Sequence, residues 1–368
     1  MNNLKFSSFS DLELFFKTEK FKKIFIICGE NSYINSGAEK LLYKLLKNKF
    51  THFFFKKFPY PDIEELNKII KDLKDFSPDL IIAIGGGSVL DYAKIANSLA
   101  LNNDLKNKIK KSSYTFNKNF SKLLAIPTTA GSGAEVTSNA VIYIDKIKFS
   151  VEGKKVKPDY FFLIPEIVIR ASHKIKSSAG FDAIAQSLES LIAKNSNHKS
   201  VNYAKQSLEI SLKNFLDYLN KPSFENTSAM CLAANLSGRA INISKTTAPH
   251  AVSYPFTSLF GISHGHAVSL TLNKFLKFNY NHINKNNCSF DLKKRFKIIF
   301  DLSKTNNIEE FDKYLINLKK KARLEDDYIS LGINIKKDYA KIISKVNLSR
   351  LSNNPIKISQ QDLKDIIQ

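Results

Sequence analysis

Two periods of apolar residues divide the chain. Over its first half, short apolar runs alternate with segments of helical spacing. FKKIFIICG (21–29) reads as a strand, and the polar segment ENSYINSG leads into a helix over AEKLLYKLLKN. HFFFKKF is a second apolar run. PDIEELNKIIKDLKDF follows with helical spacing, and its Pro61 and Asp62 suit a helix start. In PDLIIAIGGGSVLDYAKIANSLA an apolar strand runs through Gly85, Gly86 and Gly87 into a helix beginning near Ser88. KLLAIPTTAGSGAEVTSNAVIYID (122–145) repeats the order, with a strand, a break at Pro127 and a segment dense in hydroxyls and glycines. FSVEGKKVKPDYFFLIPEIV reads as a hairpin turning near Gly153, then a further strand. Alternation of strand and helix implies parallel pairing.

Beyond about residue 176 the period changes. SSAGFDAIAQSLESLIAKN, KSVNYAKQSLEISLKNFLDYLN, NTSAMCLAANLSGRAINISK and the segments after 290 carry helical periodicity, and β-branched runs disappear. The expected fold class is therefore α/β plus all-α: an N-terminal parallel-sheet domain over 1–175 and a C-terminal helical domain over 176–368. No internal repeat or low-complexity tract interrupts it.

A length of 368 residues suits two domains, each able to bury its own core. No run of eighteen apolar residues occurs, and the N-terminus lacks the apolar core of a signal peptide, so a cytoplasmic protein without a membrane partner is expected. Cys28, Cys231 and Cys288 show no CxxC spacing, which points to neither a disulfide framework nor a thiolate zinc site. The net charge of +22 raises nucleic acid as a partner, but the lysines are spread along the chain without a recognition helix or an aromatic–basic platform. They read as a solvated surface whose field would concentrate a small anionic substrate.

Three stretches carry candidate chemistry. The strand–glycine–helix turn at Gly85–Gly87 lets backbone approach a phosphate at a helix N-terminus, and the hydroxyl-rich segment after Pro127 offers a second contact surface. In Thr246 to Val268, TTAPHAVSYPFTSLFGISHGHAV, three of the seven histidines fall within seventeen positions. Gly261 and Gly265 place His264 on a loop after the helix that carries His250, with both imidazoles free to face one cavity. Asp182 and Gln186, four apart on a predicted helix, share a face. A carboxylate, an amide oxygen and two imidazoles form an N/O set for Fe²⁺ or Zn²⁺. Taken singly, each feature has a bland reading as a tight turn, a backbone-satisfied histidine or a solvated helix face; the combination is what points to a metal.

Four segments in order, GGGSVLDYAK (85–94), IPTTAGSGAEVTS (126–138), AGFDAIAQSLES (179–190) and HAVSYPFTSLFGISHGHA (250–267), resemble the iron-containing, or group III, alcohol dehydrogenase family. A weaker match lies at Asn353, Asn354 and Pro355, and the resemblance covers nearly the whole chain. It implies a dinucleotide-binding α/β domain, a helical metal-binding domain and a cleft between them where nicotinamide meets substrate. Gly86, Gly87, Ser88 and Asp91 would lie around the pyrophosphate and nicotinamide, with Thr128, Thr129 and Ser132 on the cofactor's other side. Asp182, Gln186, His250 and His264 fall on the metal positions. Glu30 follows the first strand where the family often has a ribose-binding Asp, which favours NADH over NADPH.

Two departures stand out. Gln186 occupies a position where the family usually has His, and Tyr254 one where many members have a histidine tied to proton relay. A phenol is a poor base near neutral pH, so protons would travel through His266, water or the cofactor ribose. Both departures are similar to the phosphonoacetaldehyde reductase subgroup, which makes 2-hydroxyethylphosphonate in phosphonate biosynthesis. Arg239 and Lys245, ahead of the metal histidines, would hold its phosphonate. The expected partners are thus NADH or NADPH, a divalent metal, a small anionic aldehyde and a second copy of the chain. The rivals are a generic short-chain alcohol dehydrogenase and a basic nucleic-acid-binding protein with a degenerate dehydrogenase fold.

Overall fold

An apolar run without alternation asks for cover on both faces, and three strands of this chain are built that way. The structure, a computed structural model, describes residues 9–346 and 348–368. In order, the first elements are α1 (Phe9–Thr18), β1 (Lys23–Cys28), α2 (Glu30–Asn35), α3 (Ala38–Leu46), β2 (Phe50–Phe55), α4 (Ile63–Phe76) and β3 (Leu80–Gly85). There follow α5 (Gly87–Leu99), α6 (Leu105–Lys110), β4 (Lys122–Pro127), β5 (Asn139–Ile144), β6 (Ile147–Glu152), β7 (Tyr160–Phe161) and α7 (Pro165–Val168). Strands β2-β1-β3-β4-β7 form one parallel sheet, in which every residue of β3 is buried and only the first residue of β1 and of β4 is exposed.

The helices that flank the strands are placed by their own sequence. Asp62 caps α4, its carboxylate accepting the Glu64 N–H at 2.9 Å. Ile63, Leu66, Ile69, Ile70 and Leu73 then fall on one buried face and join the core of β1, β3 and α5. Leu66 is fully buried, so its truncation to Ala would cost about 2–5 kcal/mol.

β5 and β6 form a separate antiparallel hairpin, and its turn is not at Gly153. Asp145 and Lys146 make it, both with positive φ (53° and 61°), the backbone sense that matches strand twist in a two-residue turn. Gly153 instead makes room: a β-carbon there would stand 2.4 Å from the Phe116 ring.

The helical part comprises α8 (His173–Ile192), α9 (His198–Asn220), α10 (Phe224–Ser244), α11 (Ala248–Phe260), α12 (His264–Asn281), α13 (Leu292–Ser303), α14 (Ile308–Lys321), α15 (Ile335–Ile343) and α16 (Gln360–Ile367). α8 is buried nearly all round from Lys176 onward and packs on α9, α12 and α13, and its small residues allow the close approach. A second core joins α11, α12, α15 and α16 through Val252, Phe256, Phe275, Ile342, Leu363 and Ile367. The two compact units divide otherwise than at 175/176. One runs up to Ser172 and includes Ser223–Leu232; the other comprises His173–Pro222 and Ala233–Gln368. Among the described residues no helix is long and apolar enough to cross a membrane, and Cys28, Cys231 and Cys288 are free thiols.

Candidate functional site

In the first unit, the registers Cys28↔Ile84 and Gly85↔Pro127 set the carboxyl ends of β1, β3 and β4 side by side. The strand order reverses direction between β1 and β3, the place where open parallel sheets take ligands. Glu30, exposed, begins α2 beside this point, so part of the polar segment after β1 is helical. Across from it Gly86 precedes α5 as an N-cap without a side-chain cap, and Ser88 is the helix's second residue. The Thr128 N–H donates to the Gly85 carbonyl at 3.0 Å, which brings the next loop over the turn. A β-carbon on Gly86 would stand 3.6 Å from Thr129 Oγ1, and one on Gly87 would strike Ser132 Oγ at 2.8 Å. A bare helix N-terminus flanked by two hydroxyls fits a pyrophosphate.

Asp91 lies one turn further along α5. It accepts the Val141 N–H of β5 near Lys94 and Lys148; burial pushes its carboxyl up to about 6, against the pull of those cations and that N–H. Lys94, fully buried, donates to the Ala134 carbonyl and Thr137 Oγ1, both at 2.8 Å. Burial lowers its amine to about 8 while Asp91 and Glu135 oppose the shift.

In the second unit, Asp182 and Gln186 of α8, His250 of α11 and His264 of α12 converge. His250 Nε2 lies 3.2 Å from Asp182 Oδ1, and the two imidazole centroids are 5.3 Å apart. Ligand atoms of Asp182, His250 and His264 all lie within 4.8 Å of one another. Donors on a tetrahedral ion are spaced roughly 3.3 Å apart, so a small contraction closes this set on one divalent cation. Burial would raise the Asp182 carboxyl, but the His250 hydrogen bond, the two histidines' charges and the Gln186 amide hold it below the usual carboxylate value. Burial would lower His250, yet Glu189 and Asp182 push it up to about 9.

His264 is not on a loop. Gly261 ends α11 in the left-handed region (φ 71°), Ser263 is the next N-cap and His264 is the first residue of α12. Gly265 sits inside that helix because nothing larger fits against α8.

Glu189, which the sequence reading passes over, stands behind His250. Its side chain is wholly buried three residues after Gln186, on the same face of α8. One carboxylate oxygen accepts the Thr247 N–H (2.8 Å), the Thr247 hydroxyl (2.9 Å) and the His250 N–H (3.4 Å); the other meets His250 Nδ1. Glu189 thus serves as the anion at the α11 N-terminus and also commits Nδ1, which leaves Nε2 toward the cluster. Asn353 ties the same region together. Its Oδ1 accepts the Asn195 N–H, past the end of α8, and its Nδ2 donates to the carbonyls of Ser244 and Thr246 between α10 and α11.

Of the remaining expected residues, Tyr254 lies against the cluster. It is buried and stacks on the His264 ring at 5.3 Å and 7°. His266 directs Nε2 to the Glu325 carbonyl at 2.7 Å. Arg239 donates from Nε to Asn235 Oδ1 at 2.8 Å, and its guanidinium lies over the Tyr203 ring of α9 at 6.0 Å. Ser237 bonds Gln186, and Arg239 stands two residues on, about 200° around α10. Lys245 follows α10 in the left-handed region (φ 60°).

Comparison with known proteins agrees with this architecture. Residues 5–165 match the profile "Iron-containing alcohol dehydrogenase", and 176–368 match "Fe-containing alcohol dehydrogenase family, C-terminal". Phosphonoacetaldehyde reductase of Streptomyces viridochromogenes is 30% identical over 222 residues, 58% of this chain and 56% of that one, so the match spans little over half of the relative. 4-Hydroxybutyrate dehydrogenase of Clostridium kluyveri is 27% identical over 82% of both chains. The fold is that of sulfoacetaldehyde reductase from Bifidobacterium kashiwanohense, solved with NAD⁺ (TM-score 0.84, 22% identity, 98% of this chain and 93% of that one). It is equally that of the alcohol dehydrogenase from Oenococcus oeni (TM-score 0.87, 21% identity, 98% and 95%). The chain belongs to the iron-containing alcohol dehydrogenase family, whose members interconvert alcohols and aldehydes with NAD(P) and a divalent metal.

Proposed function

We propose that the chain is a metal-dependent NAD(P)H reductase of a short aldehyde with an anionic head group, converting phosphonoacetaldehyde to 2-hydroxyethylphosphonate in phosphonate biosynthesis. The observation that carries this reading is the Asp182–His250–His264 cluster, with Glu189 behind it. A divalent ion bound there supplies Lewis-acid polarisation of the carbonyl and stabilises the alkoxide formed on reduction. The residues of the chain do the rest. Asp182 offers charge and the imidazoles neutral nitrogen, Glu189 fixes the His250 tautomer, and the Tyr254 ring shields one face of His264. His266, with Nε2 held by the Glu325 carbonyl, keeps Nδ1 for proton traffic through water. Gly86, Gly87, Ser88, Thr129 and Ser132 support binding of the dinucleotide, and Glu30 favours NADH.

The substrate class is supported by the two relatives at 30% and 27% identity, named for phosphonoacetaldehyde and 4-hydroxybutyrate, both anionic at the end away from the reacting carbon. The chain's charge of +22 is in keeping with such substrates. One observation favours a second reading, a general aldehyde reductase: Arg239 already spends its Nε on Asn235 and lays its guanidinium over Tyr203. The test is NADH and NADPH oxidation by Fe²⁺- or Zn²⁺-reconstituted protein with phosphonoacetaldehyde, succinate semialdehyde and propanal. We expect phosphonoacetaldehyde to have the highest kcat/KM and chelation to abolish turnover. Equal values for charged and uncharged aldehydes would select the second reading, and no turnover with any would reject both.

A further inference from the structure

A side-chain amide has two unlike ends. Its oxygen accepts hydrogen bonds or binds a cation, whereas its NH₂ only donates. Gln186, one turn after Asp182 on α8, presents the NH₂ end to the cluster: Nε2 donates to Asp182 Oδ2 at 3.1 Å. The oxygen end faces away and accepts the Ser237 hydroxyl of α10 at 3.0 Å. Asp182, Gln186 and Ser237 are all buried, so their polar atoms must find partners inside the protein.

The carboxylate of Asp182 is thereby divided. Oδ1 faces His250 Nε2, and Oδ2 is held by Gln186. For Gln186 to offer its oxygen to a cation, the amide must turn over. Oδ2 would then lose its donor and face a second acceptor, and Ser237 would have to send its proton to the Ala234 carbonyl, 2.9 Å away. A buried acceptor stripped of its donor is destabilised, and here the turn also breaks the bond that orients the anionic ligand.

We propose that Gln186 is a positioning residue and not a metal ligand: it holds Asp182 by Oδ2, Ser237 locks its amide, and the divalent ion is held by Asp182, His250 and His264 alone. This rests on reading the cluster as a metal site and lowers the protein ligand count from four to three. One carboxylate and two imidazoles leave more of the ion's coordination sphere to water or a substrate oxygen than a four-ligand set does.

The test uses the full chain, stripped of metal and titrated with Co²⁺ without cofactor or substrate. Visible ligand-field bands report the donor set, and competition with a chelator gives the affinity. We expect Gln186→Leu to bind one Co²⁺ per chain with bands at the wild-type positions and an affinity lowered about tenfold, as for loss of an outer partner of a ligand. Gln186→Met, nearer in length, should behave alike and guards against disturbed packing with Leu. His264→Ala should shift the bands and lose more affinity. Bands that move in both Gln186 variants as they do in His264→Ala would make Gln186 a ligand and overturn the proposal. Unchanged affinity in both would overturn the positioning role. A wild-type chain that bound no Co²⁺ would instead remove the metal reading on which the proposal rests.

Discussion

The carbonyl oxygen of Ser178 lies 1.9 Å from the point where a β-carbon on Gly265 would stand, and Asp182 Cβ is 2.9 Å from the same point. The first turn of α12 is therefore pressed against α8, which is how His264 reaches Asp182. Gly265→Ala should force the helices apart. We expect a loss of about 1–3 kcal/mol in urea unfolding, net of any gain in helix propensity, and a weaker Co²⁺ site. Gly261→Ala is the control: its φ of 71° makes a side chain strained, but nothing stands within 4 Å, so stability should fall by about 1–2 kcal/mol and Co²⁺ affinity should hold. Equal effects of the two on Co²⁺ binding would contradict the packing argument.

Glu189→Gln keeps the shape of the side chain and removes its charge. One amide oxygen cannot serve Thr247 together with the backbone N–H and the ring Nδ1 of His250 as two carboxylate oxygens do. Co²⁺ affinity should fall about 10- to 100-fold, and unfolding free energy by about 1–3 kcal/mol. Stability lost with Co²⁺ affinity intact would reduce Glu189 to a helix cap.

Asn353→Ala removes an acceptor for Asn195 N and two donations, each 2.8 Å, to Ser244 O and Thr246 O. Urea unfolding should register a loss of about 1–3 kcal/mol. Asn353→Asp keeps the acceptor but turns a carboxylate toward those two carbonyls, so it should lose more. The opposite order would argue against the assigned bonds.

The pH dependence of stability should carry the mark of Asp91. Its folded value of about 6 lies above the ordinary carboxyl value of 3.8, with burial the leading cause. A group that binds its proton more tightly when folded adds stability below about pH 4, and that contribution is lost as pH rises through about 6. Asp91→Asn cannot titrate. Its urea midpoint should therefore gain on wild type between pH 4 and 6 and run parallel above; a difference that stays constant across this window would remove Asp91 as the cause.

What the sequence discloses, and what it hides, follows from how local each signal is. β1, β3 and β4 are legible because strands covered on both faces carry unbroken apolar runs, and α4 is legible because Asp62 caps it two residues away. Glycines mislead twice. Gly153 and Gly265 read as turn and loop, yet one yields to Phe116 and the other to the backbone of α8, and neither neighbour is close in sequence. The real hairpin turn uses Asp145 and Lys146, with no glycine to announce it. Asp182, His250 and His264 are found by residue type and company, whereas a single glutamate on a helix reads as solvated. Nothing near Glu189 reveals that it will meet the start of a helix 58 residues on.

Ser223–Leu232 lie with the sheet-bearing unit, although the chain reaches them only after α8 and α9 of the helical unit, and α10 begins in one unit and ends in the other. A single crossover cannot exchange one of these compact units whole for a foreign one. A break between α7 and α8 would deliver the opening turns of α10 from the wrong parent, to be fitted against surfaces they did not evolve with. A recombination experiment that keeps each compact unit whole must cut this chain three times.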